Sequence, residues 1–176
     1  MLYPDFEEFI ASLNAHGVKY LIVGGHAFAF HARPRATKDL DVFLQRTPAN
    51  AQRVLKALTA FFGGAKLGYK VKDLLNPRLI LQLGVAPVRI DLLNSLPGCS
   101  RFEAAWANRV IAKFGNETAF YLCREDLIEA KQAAGRPQDL ADLDVLERLS
   151  QKGRRSVKRT PQKRARGVKR RRQAND

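Results

Sequence analysis

The chain has 176 residues, 45% hydrophobic and 9% aromatic, which suits one domain with a real core and excludes a fibrous or wholly disordered chain. Its net charge of +14 is uneven: residues 151–176 hold twelve Lys or Arg against one acid, leaving about +3 on residues 1–150. No apolar run is long enough to span a bilayer, and the acidic opening MLYPDFEEFIASLN is unlike a secretory signal, so no membrane association and a cytoplasmic location are expected.

Pro4 to about Ala15 reads as an amphipathic helix, with Phe6, Phe9, Ile10 and Leu13 on one face and Gly17 as its stop. KYLIV follows as a short buried strand ending at Gly24-Gly25. HAFAFHA predicts one or two helical turns ended by Pro34, and DLDVFL predicts a second strand. Thr47 caps the next helix with Pro48 in its first turn, and Val54, Leu55, Leu58, Phe61 and Phe62 form its core-facing stripe. GGAKLGYKVKDLLNP is expected to be a loop or short strand. RLILQL and VRIDLL read as two strands joined by a tight turn near Gly84 and Pro87.

FEAAWANRV predicts a short helix, with a strand at RVIAKF. REDLIEAKQAAG is a helix ended by Gly135, and Pro137 starts a last helix reaching about Leu149. From Gly153 apolar residues nearly vanish, and such a segment cannot offset its ordering entropy by burial. The fold expected is therefore α+β, a small mixed β-sheet flanked by helices with further C-terminal helices. Residues 1–150 form the body and residues 151–176 a basic tail, disordered on its own. Cys99 and Cys123, the only cysteines, lie too far apart for a zinc knuckle or redox pair and read as packed thiols in a reducing compartment.

Within this outline Asp39 and Asp41 stand out, because residues i and i+2 of a strand share a face. Two carboxylates side by side in a partly buried place repel, and one takes up a proton unless a cation neutralises both. Asp91, in VRIDLL, puts a third acid inside a strand. Three acids on adjacent strands suit Mg²⁺, with Mn²⁺ as the alternative, in a two-metal site for in-line phosphoryl displacement. Gly24 and Gly25, separated from Asp39 by thirteen residues, end a strand and open a helical turn, where bare backbone N–H groups can face phosphate oxygens. Arg33, Arg35, Thr37 and Lys38 lie between the glycines and the acids, where a triphosphate needs donors. No P-loop pattern occurs.

On these residues the chain resembles the nucleotidyltransferase superfamily with a DNA polymerase β-like fold, through VGG, then DLDV, then IDL. It is similar more closely to small bacterial nucleotidyltransferases, including minimal members and AbiEii-type toxins of toxin–antitoxin systems. LIEAKQAAGRPQDLADLDVL, which looks like the lysine motif of that group, adds to the match. The resemblance implies transfer of a nucleoside monophosphate from an NTP such as ATP to an acceptor hydroxyl, releasing pyrophosphate. It implies Gly24, Gly25, Arg35, Thr37 and Lys131 as nucleotide-binding residues. Asp39, Asp41 and Asp91 would be catalytic metal ligands, with Asp91 holding the metal that activates the acceptor. Minimal members often carry Ser and a following Arg after the first glycine. Here Gly25 and HAFAFHARPR stand instead.

Plainer readings stand beside these. Asp39, Asp41 and Asp91 would then be solvated strand acids, and Lys131 an ion-pair partner of Asp139 or Asp142. His26 and His31, five apart, read as packing residues, and Trp106 as core. The tail makes a sequence-independent anchor for phosphate backbones, so RNA, tRNA in particular, leads a protein hydroxyl as the expected acceptor. A toxin or antitoxin partner is a further expectation, and a non-catalytic nucleic-acid-binding or toxin–antitoxin module is the competing reading.

Overall fold

A computed structural model describes residues 3–85 and 88–157, with side chains through Leu149. Phe6, Phe9, Ile10 and Leu13 recur at helical spacing on α1 (Pro4–Ala15), and all four are fully buried. Burying one such side chain contributes about 1.5–3 kcal/mol, which fixes this helix against the sheet. β1 (Tyr20–Ile22) is buried throughout, and Val23 leads directly into α2 (Gly24–His31). β2 (Asp39–Leu44) sinks Leu40, Val42, Phe43 and Leu44 while its two acids stay half-buried. α3 (Pro48–Phe61) begins as its sequence dictates: Thr47 accepts a hydrogen bond from the Asn50 N–H at 3.3 Å, and Pro48 occupies the first turn.

The segment expected as loop or strand forms a short helix, α4 (Val71–Leu75). The Asp73 carboxylate accepts from the Lys70 N–H at 2.8 Å, and Leu74 is buried. Local capping and one core contact thus outweigh the Gly-rich, Lys-rich composition that argued for a loop. β3 (Ile80–Val85) and β4 (Val88–Leu93) pair as the expected hairpin, with Gly84 at φ 75°. Pro87 lies outside the described residues. α5 (Phe102–Ala107) and β5 (Val110–Phe114) also follow expectation.

The sequence reading did not anticipate β6 (Glu117–Tyr121), which turns back on β5 through Gly115 and pairs antiparallel with it. α6 (Arg124–Ala134) ends at Gly135 in the left-handed conformation, whose N–H returns to the Lys131 carbonyl at 3.0 Å. α7 (Pro137–Val157) runs eight residues past the expected end at Leu149, into the first basic residues of the tail. Residues 158–176, the rest of that tail, lie outside the described residues. Among the described residues no helix is long and apolar enough to cross a membrane.

The six strands form one mixed sheet in the order β3-β4-β2-β1-β6-β5. The neighbours β1–β2, β3–β4 and β5–β6 run antiparallel, whereas β2–β4 and β1–β6 run parallel. This arrangement positions the site. β1 and β6 both finish at one end of the sheet, Ile22 beside Tyr121, and the Leu122 N–H donates to the Ile22 carbonyl at 3.0 Å. The antiparallel β2 starts at that same end, and so does β4, its parallel neighbour. The N-termini of α2 and α6, the two glycines and the first residues of β2 and β4 are therefore gathered at one end by the pairing directions of the strands.

Candidate active site

Asp41 and Asp91 are paired in register across the parallel β2–β4 ladder, and Asp39 is paired with Arg89. Since paired residues share a face, all three acids and Arg89 project together. Asp91 is 8% exposed, while Asp39 and Asp41 are half-buried. The Asp41 carboxyl is pushed up to about 6, first by burial, then by the neighbouring Asp91 and Asp39 charges. A hydrogen bond from the Gly25 N–H and the positive charge of Arg136 partly offset this.

The glycine pair is locked to these acids. The Val23 N–H donates to the Asp41 carbonyl at 3.0 Å, bringing the end of β1 against β2. Gly24 then adopts φ 59°, and a β-carbon there would collide with the Asp41 carboxylate. A β-carbon on Gly25 would collide with the Thr37 hydroxyl and come within 3.5 Å of the Arg35 guanidinium. Both glycines are required by close approach, so Gly24, Gly25, Arg35, Thr37 and Asp41 form one contiguous surface.

Arg89 was not singled out from the sequence, although strand alternation from Asp91 places it on the acidic face. Its Nη2 donates to Asp39 Oδ2 at 2.7 Å, and its Nε lies 3.1 Å from Asp91 Oδ1. The second approach is an ion pair without hydrogen-bond alignment, so both of its atoms lack an aligned partner. Among the described residues no three carboxylate, histidine or cysteine side chains converge into a ready-made metal cage. The donor set nonetheless suits a hard divalent ion, being all carboxylate oxygen, with Asp91 Oδ1 unsatisfied. Mg²⁺ needs only one or two carboxylates besides water and phosphate oxygens.

Lys131 belongs to a second cluster. Its Nζ donates to Asp142 Oδ2 at 2.7 Å and to Asp139 Oδ1 at 3.0 Å, and it is 5% exposed. Arg35 reaches the other oxygen of Asp142 at 2.5 Å and lies over the Phe28 ring at 4.8 Å. The ion-pair reading of Lys131 is thus the arrangement present, involving both acids rather than one. Arg136, in the turn between α6 and α7, is close enough for its charge to lower the Asp41 pKa. Nothing in the sequence pointed to Arg136 beyond its place in GRP.

The two histidines pack, as expected. His26 meets Phe6 and Phe114 edge-on and is held at about 4 by burial, while His31 bonds the Leu122 carbonyl at 2.7 Å. Trp106 stacks on Phe102 beside Phe120. Cys99 and Cys123 are free thiols, and Cys123 caps α6 through an Asp126 N–H···Sγ contact of 3.5 Å.

The family model described as "Nucleotidyltransferase of unknown function (DUF6036)" matches residues 5–152, all seven helices and six strands apart from the ends of α1 and α7. Comparison with curated proteins finds no match.

Proposed function

The chain belongs to this family of nucleotidyltransferases, and on that premise we propose a Mg²⁺-dependent enzyme that moves a nucleoside monophosphate from an NTP to an acceptor hydroxyl. The observation that carries this reading is the in-register pair Asp41–Asp91, with Gly24 seated directly on the Asp41 carboxylate. It puts phosphate-facing backbone and metal-binding oxygens side by side.

Asp39 and Asp41 would hold both metal ions, and Asp91 the one that activates the acceptor. The ions, when bound, supply charge stabilisation to the phosphoryl group and lower the pKa of the attacking hydroxyl. Asp91 would also accept the proton of that hydroxyl. Gly24 and Gly25 let the triphosphate approach the start of α2 without side-chain obstruction. Arg35 and Thr37, packed on Gly25, provide cationic and hydroxyl donors on the same side. Lys131 supports this surface by fixing Asp142, and through it Arg35. To reach the triphosphate itself, Lys131 has to leave two carboxylates.

RNA is the favoured acceptor, because residues 151–176 carry most of the chain's net positive charge and suit a phosphate backbone. The test is incubation with α-³²P-labelled NTPs, Mg²⁺ and total cell extract, followed by separation of RNA from protein. Label in RNA, absent with Asp41→Asn, is the expected result. Label in protein would move the acceptor, and no label in any fraction would refute transfer.

A further inference from the structure

Arg89 sits where a cation is wanted. It lies opposite Asp39 in the ladder and two residues before Asp91, so its side chain stands over the outer two carboxylates. It holds Asp39 Oδ2 at 2.7 Å and approaches Asp91 Oδ1 at 3.1 Å. A divalent ion on these acids would take carboxylate oxygens at about 2.0–2.1 Å and so compete with the guanidinium for the same two groups. Charge points the same way. Three carboxylates beside one guanidinium leave a net charge of about −2, and exchanging that guanidinium for a divalent ion reduces the deficit to about −1.

The contact is also built to break. Its bond to Asp39 is aligned, but the Nε–Asp91 approach is not, and the Arg89 side chain remains 36% exposed. On its other flank Arg89 faces Gly84, which presents no side chain, so the guanidinium has an open direction in which to swing. A purely structural ion pair is better served by enclosure, as the buried Lys131–Asp142 pair shows.

We infer that Arg89 is a positioning residue, the resident counter-cation of the carboxylate site, which a divalent ion must displace and which thereby sets the site's metal affinity. The inference rests on the metal reading of Asp39 and Asp91. Arg89 keeps the acids together when metal is absent and weakens apparent metal binding by competition.

The test is calorimetric titration of the chelator-treated full chain with Mn²⁺ alone. Arg89→Met keeps the aliphatic stem and removes the charge. It should bind Mn²⁺ roughly five- to fiftyfold tighter than wild type, the range expected when a charge-assisted contact no longer competes. Its metal-free melting temperature should fall, so Mn²⁺ should raise it by more than in wild type. Arg89→Lys should retain most of the competition, and Asp91→Asn should weaken Mn²⁺ binding in either background. Equal or weaker affinity in Arg89→Met, with wild type binding normally, overturns the role of Arg89 alone. No Mn²⁺ binding by either protein overturns this inference and the metal reading together. The wild-type chain provides a check that needs no variant: Mg²⁺ should shift the Arg89 Nε–H resonance, and an unmoved resonance counts against displacement.

Discussion

Two charge clusters lie at the same end of this sheet and are built to opposite rules. On the strand face, one guanidinium, that of Arg89, pairs with Asp39 and Asp91, and the Asp41 pKa is pushed up by burial and by the neighbouring acids. Between α6, α7 and the α2–β2 connection, Asp139 and Asp142 are matched by Lys131 and Arg35, with both Lys131 and Asp142 almost fully buried. The second cluster is balanced and enclosed, so it positions elements. The first is under-neutralised and partly open, the arrangement on which the proposed metal and nucleotide site rests. The contrast separates an enclosed, charge-matched cluster from an open, acid-rich one, although both are built from acids and basic side chains.

The largest effect that could break this comparison is on turnover. Asp41→Asn or Asp91→Asn should lower nucleotide transfer by at least about a thousandfold, as expected when charge stabilisation of the transition state is removed. Circular dichroism should be unchanged. Near-normal transfer in either variant would make the strand acids ordinary.

Next comes a stability effect confined to the enclosed cluster. Lys131→Met leaves half-buried Asp139 without its cation and buried Asp142 with Arg35 alone, and breaking a buried ion pair costs about 3–5 kcal/mol. Urea denaturation should show a loss of that size, and Asp39→Asn should show none comparable. If Lys131→Met melts like wild type but loses NTP-induced stabilisation, its main role is to hold phosphate.

The glycines sharpen the boundary between the two kinds of constraint. Gly17 and Gly24 have similar left-handed φ values, 64° and 59°, but only Gly24 would drive a β-carbon into a neighbour. Gly17→Ala should therefore cost about 1–2 kcal/mol for backbone strain alone. Gly24→Ala should cost more and also abolish thermal stabilisation by Mg²⁺ and ATP. Equal costs, with nucleotide response intact in both, would refute the close fit at Asp41.

Asp41 provides a pH signature of smaller size. Its folded pKa of about 6 lies above the ordinary 3.8, so the folded state binds the proton more tightly than the unfolded chain. The resulting stability is present in full below pH 4 and is lost as pH rises through 6, amounting to about 2–3 kcal/mol at most. In chelator, Asp41→Asn should match protonated wild type at pH 4 and become progressively more stable than wild type towards pH 7. A gap independent of pH would mean that Asp41 is not held up by its neighbours.

The smallest expected effect on the body comes from the tail. Deleting residues 158–176 removes nine Lys or Arg and should leave the melting temperature within about a degree. RNA affinity should fall, with a shallower dependence on salt, because each lost phosphate contact removes roughly 0.7–0.9 from the log–log slope. Identical slopes for the full and shortened chains would remove the main support for a nucleic-acid acceptor.

By itself the sequence determined whatever depends on local period and backbone chemistry. The buried face of α1, the cap at Thr47, the stop at Gly135, the D-x-D on one face of β2 and the glycine pair could all be read from spacing. β6 escaped because ETAFY is five residues with a weak alternation, and it becomes a strand through pairing with β5 and β1. α4 escaped because its five residues are held by a cap and by the burial of Leu74, neither of which composition reveals. Register, partner choice and enclosure were left to the tertiary structure. Only the parallel pairing of β2 with β4 sets Asp41 against Asp91 and Asp39 against Arg89, across fifty residues of chain. Only the packing of α6 against α7 commits Lys131 to two carboxylates. A charge's neighbours in sequence say which face it occupies, but its energy depends on the charges brought within a few ångströms and on the water excluded around it, and those are decided by the fold.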